Sequence, residues 1–184
     1  MARNPAGPWS EPHWLEDCPG IDPSLFFDDD GRAWYVGDRR LPNPPYDAYR
    51  EIWLQELDLV HMRLAGPKYL LWDGALRGAC CPEAPHIYRV NGRYYVMIAE
   101  GGTFHNHAVT IARSDAITGP YIGNPHNPIL TYRHLGLDYP VTSTGHADLV
   151  QTQTGEWWMG LLGVRPDDGY TYNLGRETFL ACVQ

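Results

Sequence analysis

The sequence predicts an all-β protein, and three observations carry that prediction. Its 184 residues include 19 glycines and 16 prolines, which cut the chain into short segments. Its 7 tryptophans and 12 tyrosines suit pleated, half-buried surfaces better than helices. The third observation is a hairpin pattern that occurs three times.

The first copy is Asp22-Pro-Ser-Leu-Phe-Phe-Asp-Asp-Asp-Gly31-Arg-Ala33-Trp34. The second is Glu83-Ala-Pro-His-Ile-Tyr-Arg-Val-Asn-Gly92-Arg-Tyr94-Tyr95, and the third is His146-Ala-Asp-Leu-Val-Gln-Thr-Gln-Thr-Gly155-Glu-Trp157-Trp158. In each, a polar leader is followed nine residues later by glycine and twelve later by an aromatic residue. A short apolar strand, a turn ending in Asp-Gly, Asn-Gly or Thr-Gly, and an aromatic-rich strand make a β-hairpin. The leaders stand 61 and 63 residues apart, a period that suits a four-stranded propeller blade. Between hairpins, Glu51-Ile-Trp-Leu-Gln-Glu-Leu57 alternates like a strand, Ala108 to Arg113 is strand-like, and no strong amphipathic helix is expected. The run Ala112-Arg-Ser-Asp115 with Gly119-Pro-Tyr121 has a weaker echo in Ala2 to Trp9, so the chain is expected to begin partway through a repeat. A period near 62 fits three repeats into 184 residues, whereas a closed propeller takes at least about four blades, so an incomplete ring is expected.

Charge and composition narrow the function classes. With 22 acidic and 14 basic residues the net charge is −8 and no Lys/Arg run stands out, which excludes the electrostatic footprint of a nucleic-acid binder. No apolar run approaches the roughly 18 residues of a membrane span, and the first twenty residues do not form a signal peptide's apolar core. A soluble, cytoplasmic protein is therefore expected. Cys18, Cys80, Cys81 and Cys182 contain no CxxC, so neither a zinc site nor a disulfide framework is expected, and a reducing compartment fits.

The leaders carry the chemistry. In a propeller the innermost strand of every blade lines the central channel, so Asp22, Glu83 and His146 are expected to gather at one mouth. Paired carboxyls are the minimal apparatus for hydrolysing a glycosidic bond, one protonating the leaving oxygen and the other activating water. Few charges adjoin Asp22 or Glu83 in sequence, so desolvation could raise one carboxyl into an acid's working range. Structural uses stand beside this: Asp before Pro starts turns, Glu83 fits a solvated loop, and His146 fits a satisfied turn. Asp28-Asp29-Asp30 reads as a solvated turn rather than a metal cluster. Trp34, Tyr94, Tyr95, Trp157 and Trp158 are expected to pack between blades, while Trp9, Trp14 and Trp72 read as loop residues that could stack on sugar. His105 and His107 lack a nearby third ligand and are expected to serve a loop or interface.

At these residues the chain resembles glycoside hydrolase family 43, the five-bladed propeller enzymes that include β-xylosidases and α-L-arabinofuranosidases. The resemblance rests on Gly7-Pro-Trp-Ser-Glu-Pro12, Gly20 to Gly31, Glu83-Ala-Pro-His-Ile-Tyr88, Ala99-Glu-Gly-Gly-Thr103, Ala112 to Asp115, Gly119-Pro-Tyr121, Asn127-Pro-Ile-Leu130, Gly145 to Val150 and Leu174-Gly-Arg-Glu-Thr-Phe-Leu180. Carried over by position, it implies that Glu83 is the general acid and Asp22 the aspartate that modulates and orients it. It further implies that Arg176 and Thr103 meet the sugar, and that His146 helps hold a structural calcium ion through water. Inversion at the anomeric carbon is implied, with carboxyls about 6.5–9.5 Å apart. The family's general-base aspartate would precede the segment resembling Ala2 to Pro12, so it is expected to lie outside this sequence. The implied organisation is a single incomplete domain, with residues 1–17 ending blade 1, 18–79 forming blade 2, 80–142 blade 3, and 143–184 part of blade 4. The expected function is exo-hydrolysis of xylo-oligosaccharides or arabinofuranosides, weak or absent in this chain alone. The alternative is a non-catalytic carbohydrate-binding or scaffolding partial propeller that self-associates through open blade edges.

Overall fold

The computed structural model of the protein describes residues 1–76, 78–168 and 170–183, and it is all-β. The described residues form three antiparallel sheets and no α-helix, with one 3-10 turn at Arg133–Leu135. Among them no helix is long and apolar enough to cross a membrane.

The first sheet takes its strands in chain order: β1 (Ser24–Phe27), β2 (Ala33–Arg39), β3 (Glu51–Asp58) and β4 (Arg63–Trp72). The second is built the same way from β5 (Glu83–Val90), β6 (Arg93–Glu100), β7 (Ala108–Ser114) and the short β8 (Ile122–Gly123). The third holds β9 (Thr142–Gln151), β10 (Trp157–Val164) and β11 (Glu177–Val183), with β10 central. The predicted hairpins are β1–β2, β5–β6 and β9–β10, each paired across its glycine turn. At the tightest, Val90 pairs with Arg93 and the two loop residues Asn91 and Gly92 have φ +51° and +76°. Both are left-handed, as a two-residue hairpin turn matched to strand twist requires.

Sheet faces pack against one another, and strand alternation decides what each face buries. Trp34, Val36, Ile52 and Leu54 of the first sheet meet Ile87, Tyr94, Val96 and Ile98 of the second in one core. The opposite face of the second sheet sets Met97 and Val109 against Ala147, Met159 and Leu161 of the third. The central strand β6 is thus covered on both sides, which explains its nearly unbroken apolar run from Tyr94 to Ala99. The first strands of the sheets are neighbours, with β5 between β1 and β9. Ser24 Oγ donates to the Pro85 carbonyl at 2.7 Å, and Tyr88 Oη receives the Leu149 amide (2.9 Å) while donating to Asp148 (2.6 Å).

Three expectations need correction. Trp72 is no loop residue; it ends β4 and is buried in the first core. The Asp28–Asp30 turn is solvated only in part, because Asp28 is buried and takes bonds from Arg89 and Tyr94 of the neighbouring sheet. His146 does not open its strand, since β9 begins four residues earlier at Thr142 and register shifts fall within its pairing to β10.

Candidate active site

The site grows from the first strands of the three sheets and the residues just ahead of them. Asp22 lies two residues ahead of β1 with φ +49°, Ala84 follows Glu83 in β5 with φ +50°, and His146 has φ +49°. Left-handed backbone is unfavourable for residues with a Cβ and gathers where surrounding structure holds it for a purpose. In β5 and β9 it accompanies register shifts, between Glu83 and His86 and between Thr142 and Asp148. Such irregularities re-aim side chains near sites.

Glu83 is 8 % exposed, flanked by the buried residues Pro82, Ala84 and Pro85. Burial pushes its carboxyl above the usual carboxylate range. The nearby positive charge of Arg50 pulls the other way, the negative charges of Asp22 and Asp38 add to the rise, and Arg176 opposes it. Asp22, Glu83 and Arg176 are thereby brought into one electrostatic neighbourhood. Arg176 sits exposed just before β11, and Asp22 is half-buried.

His146, the third leader, is half-buried among imidazoles. Its charge bears on both His86 and His107, and burial holds each of those two below the ordinary histidine value. His107 is fully buried, its Nδ1 donating to the Ser143 carbonyl at 2.9 Å, which ties the loop before β7 to β9. Gly145 makes room for it, because a Cβ there would stand 2.4 Å from His107 Cδ2. Arg176 also acts on His107, so the two halves of the neighbourhood join.

Thr103 lies on the loop between β6 and β7. The loop is held against the approach to Glu83 by the Gly101 amide, which donates to the Cys80 carbonyl at 2.8 Å. Glu100, at the end of β6, is 1 % exposed and accepts the amides of Ala75 (3.0 Å) and Leu76 (3.1 Å) together with the Thr110 hydroxyl. That network fixes the base of the loop.

Calcium does not take an imidazole nitrogen readily, so an ion implied at His146 would be held there through its water shell. Calcium takes six to eight oxygen donors, whereas His146 is close to two imidazoles. Among the described residues no three His, Cys, Asp or Glu side chains are grouped to hold a metal.

Sequence reasoning missed the buried pair Asp38 and Arg50 and the depth of His107. Asp38-Arg39-Arg40 looks like a charged surface run, and only the tertiary packing of Arg50 onto Asp38 shows otherwise. Arg39 does turn to a partner on β3, with Nη2 at 2.8 Å from Glu51.

Known proteins resemble this chain over nearly its whole length. The chain is 53% identical over 187 residues to a xylosidase/arabinosidase of Butyrivibrio fibrisolvens, covering 99% of this chain and 36% of that protein. It is 39% identical over 188 residues to a non-reducing end alpha-L-arabinofuranosidase of Bacteroides ovatus, covering 99% of this chain and 32% of the relative. The crystal structure of a xylan beta-1,4-xylosidase from Bacillus halodurans superposes with a TM-score of 0.89 at 41% identity, over 100% of this chain and 34% of that one. The chain spans about a third of the length of these relatives. The model of glycosyl hydrolases family 43 matches residues 1–184 from end to end, and the chain belongs to that family.

Proposed function

We propose that these residues form the acid half of an inverting exo-glycosidase site acting on xylo-oligosaccharides, arabinofuranosides or both. The observation that carries this is Glu83: a buried carboxyl held above its usual range, in reach of the charges of Asp22 and Arg176. A carboxyl that keeps its proton to higher pH can deliver it to a glycosidic oxygen.

In the proposed reaction Glu83 gives its proton to the leaving oxygen as the bond from that oxygen to the anomeric carbon breaks. A water attacks the opposite face of the sugar and loses its own proton to a general base, so one glycoside and one water become a hemiacetal sugar of inverted configuration and one alcohol. Asp22 orients Glu83 and raises its affinity for the proton. Arg176 and Thr103 are assigned to the sugar hydroxyls, and the exposed guanidinium offers a rigid fork of donors for that task. The base is assigned to a carboxylate that further polypeptide or a second copy brings to the opposite face of the sugar. The three sheets are read as consecutive blades of a five-bladed propeller, which the adjacency of β1, β5 and β9 supports.

The test is hydrolysis of xylobiose and of a methyl α-L-arabinofuranoside, whose leaving alcohols need a proton, with and without Glu83→Ala. Turnover that survives Glu83→Ala defeats the assignment. Binding of xylobiose without turnover, in a preparation that includes the remaining polypeptide, favours a non-catalytic carbohydrate-binding protein instead.

A further inference from the structure

Arg50 and Asp38 form a buried ion pair at the candidate carboxyls. Asp38 is 0 % and Arg50 8 % exposed, and Arg50 Nη1 donates to Asp38 Oδ2. Burying two charges sacrifices hydration that their mutual attraction often fails to recover, and apolar residues of similar volume are frequently the more stable choice. Stability alone therefore gives a weak account of this pair.

Both members reach toward the site. The second oxygen of Asp38, Oδ1, accepts the Ile21 amide at 2.8 Å, one residue before Asp22. Its backbone carbonyl accepts Trp53 Nε1 at 3.2 Å and stands only 1.8 Å from where a Cβ on Gly20 would be. Residues 20 and 21 are thus pinned onto Asp38, and Asp22 leaves them in left-handed backbone at φ +49°. On the other side, Arg50 Nε is buried with no partner among the described residues, and the charge of Arg50 bears on Glu83 and Cys81.

We infer that Arg50 and Asp38 are positioning residues of the glycosidase site, Asp38 holding the backbone from which Asp22 projects and Arg50 setting the electrostatic field at Glu83. The inference rests on Glu83 being the proton donor. The charges that bear on Glu83 are those of Arg50, Asp22, Asp38 and Arg176, and the titratable Cys81 thiol, itself pushed up by burial, feels the charge of Glu83 in turn. Arg176 is exposed and screened by solvent, so Arg50 is the buried cation among them.

The test follows the Glu83 carboxyl directly, by carbon-13 NMR titration of glutamate-labelled protein. Arg50→Met is expected to raise the Glu83 midpoint by about one pH unit, because an attracting cation is lost. Arg50→Lys keeps a positive charge and is expected to stay near the parent value. Asp38→Asn keeps an acceptor for the Ile21 amide and removes a negative charge, so the midpoint is expected to fall. Displacements of opposite sign are not produced by loosened packing alone. Unchanged midpoints in Arg50→Met and Asp38→Asn overturn the inference. Should circular dichroism show Arg50→Met unfolded, Asp38→Asn against Arg50→Lys decides by the same criterion. An unchanged midpoint leaves the glycosidase assignment standing, whereas hydrolysis that persists in Glu83→Ala removes the assignment itself.

Discussion

The Tyr94 hydroxyl donates to Asp28 Oδ2 at 2.7 Å, joining the turn of the first sheet to the second strand of the next. Asp28 also receives Arg89 Nη1 at 3.0 Å, and its side chain is only 2 % exposed. The Asp29 amide donates to Asp28 as well, at 2.8 Å, and a buried carboxylate becomes costly when one of its donors is removed, since the lost bond is not replaced by water. Tyr94→Phe is expected to destabilise the protein by about 1–3 kcal/mol in urea unfolding. Asp28→Ala is expected to lose both ties to the second sheet and to lower the midpoint further. Equal stability of Tyr94→Phe and parent would mean that the contact contributes nothing across this boundary.

Glu83 makes a kinetic prediction in any preparation that turns over glycosides. Glu83→Gln is expected to lower kcat/KM on xylobiose by roughly 10²–10⁴-fold, the usual range for a lost general acid. The loss is expected to shrink on an aryl xyloside whose phenolate leaves without protonation. In the parent, activity requires protonated Glu83 and falls as pH rises through its midpoint. Because burial raises that midpoint, the alkaline limb is expected to lie above the ordinary carboxylate range. A loss of equal size on both leaving groups would argue against Glu83 as proton donor.

The hairpins were legible because their signals are local. Asn91-Gly92 prescribes its own turn, and apolar alternation in Glu51–Asp58 names a strand without reference to the rest of the chain. The neighbourhood of Asp22 and Glu83 was legible for a different reason, since repeated phase places equivalent residues at equivalent points of successive sheets. What stayed hidden depends on partners far along the chain. Asp28 meets Tyr94 across 66 residues and Arg89 across 61, and no local pattern marks either. Arg50 and Asp38 are separated by 12 residues and lie on opposite sides of a loop, so their burial follows from how that loop folds back. His146 was misplaced within its strand because register shifts in β9 arise from pairing with β10, and the apolar pattern does not record them.

Gly145 is expected to be irreplaceable for a steric reason. An added Cβ would meet His107 Cδ2 at 2.4 Å, Nε2 at 2.5 Å and Cγ at 2.6 Å, and the His107 ring is anchored to the Ser143 carbonyl. Gly145→Ala must therefore displace a fully buried ring or part the loop from β9. Overpacking of this kind costs about 1–3 kcal/mol. Thermal unfolding is expected to show the loss, and Gly145→Ala combined with His107→Ala is expected to cost less than the sum of the two single effects, because removing the ring removes the clash that the added methyl creates. Strictly additive effects would place the strain elsewhere.

Linkage gives Glu83 a second, independent signature in stability. Its folded carboxyl binds a proton more tightly than the unfolded one, because burial disfavours the charged form. Between the unfolded and folded midpoints the native state holds more protons, so stability falls as pH rises through that window. Below the ordinary carboxylate range both states are protonated and the penalty disappears. Glu83→Gln replaces the buried charge with a neutral group of the same shape. It is expected to unfold at higher temperature than the parent at pH 7, with the difference narrowing as pH is lowered below the ordinary carboxylate range. Differential scanning calorimetry at both ends of that range measures it without substrate. A Glu83→Gln advantage that is absent at pH 7, or that grows on acidification, would mean the carboxyl is not held above its usual range. The proton donor would then have to be sought at another residue.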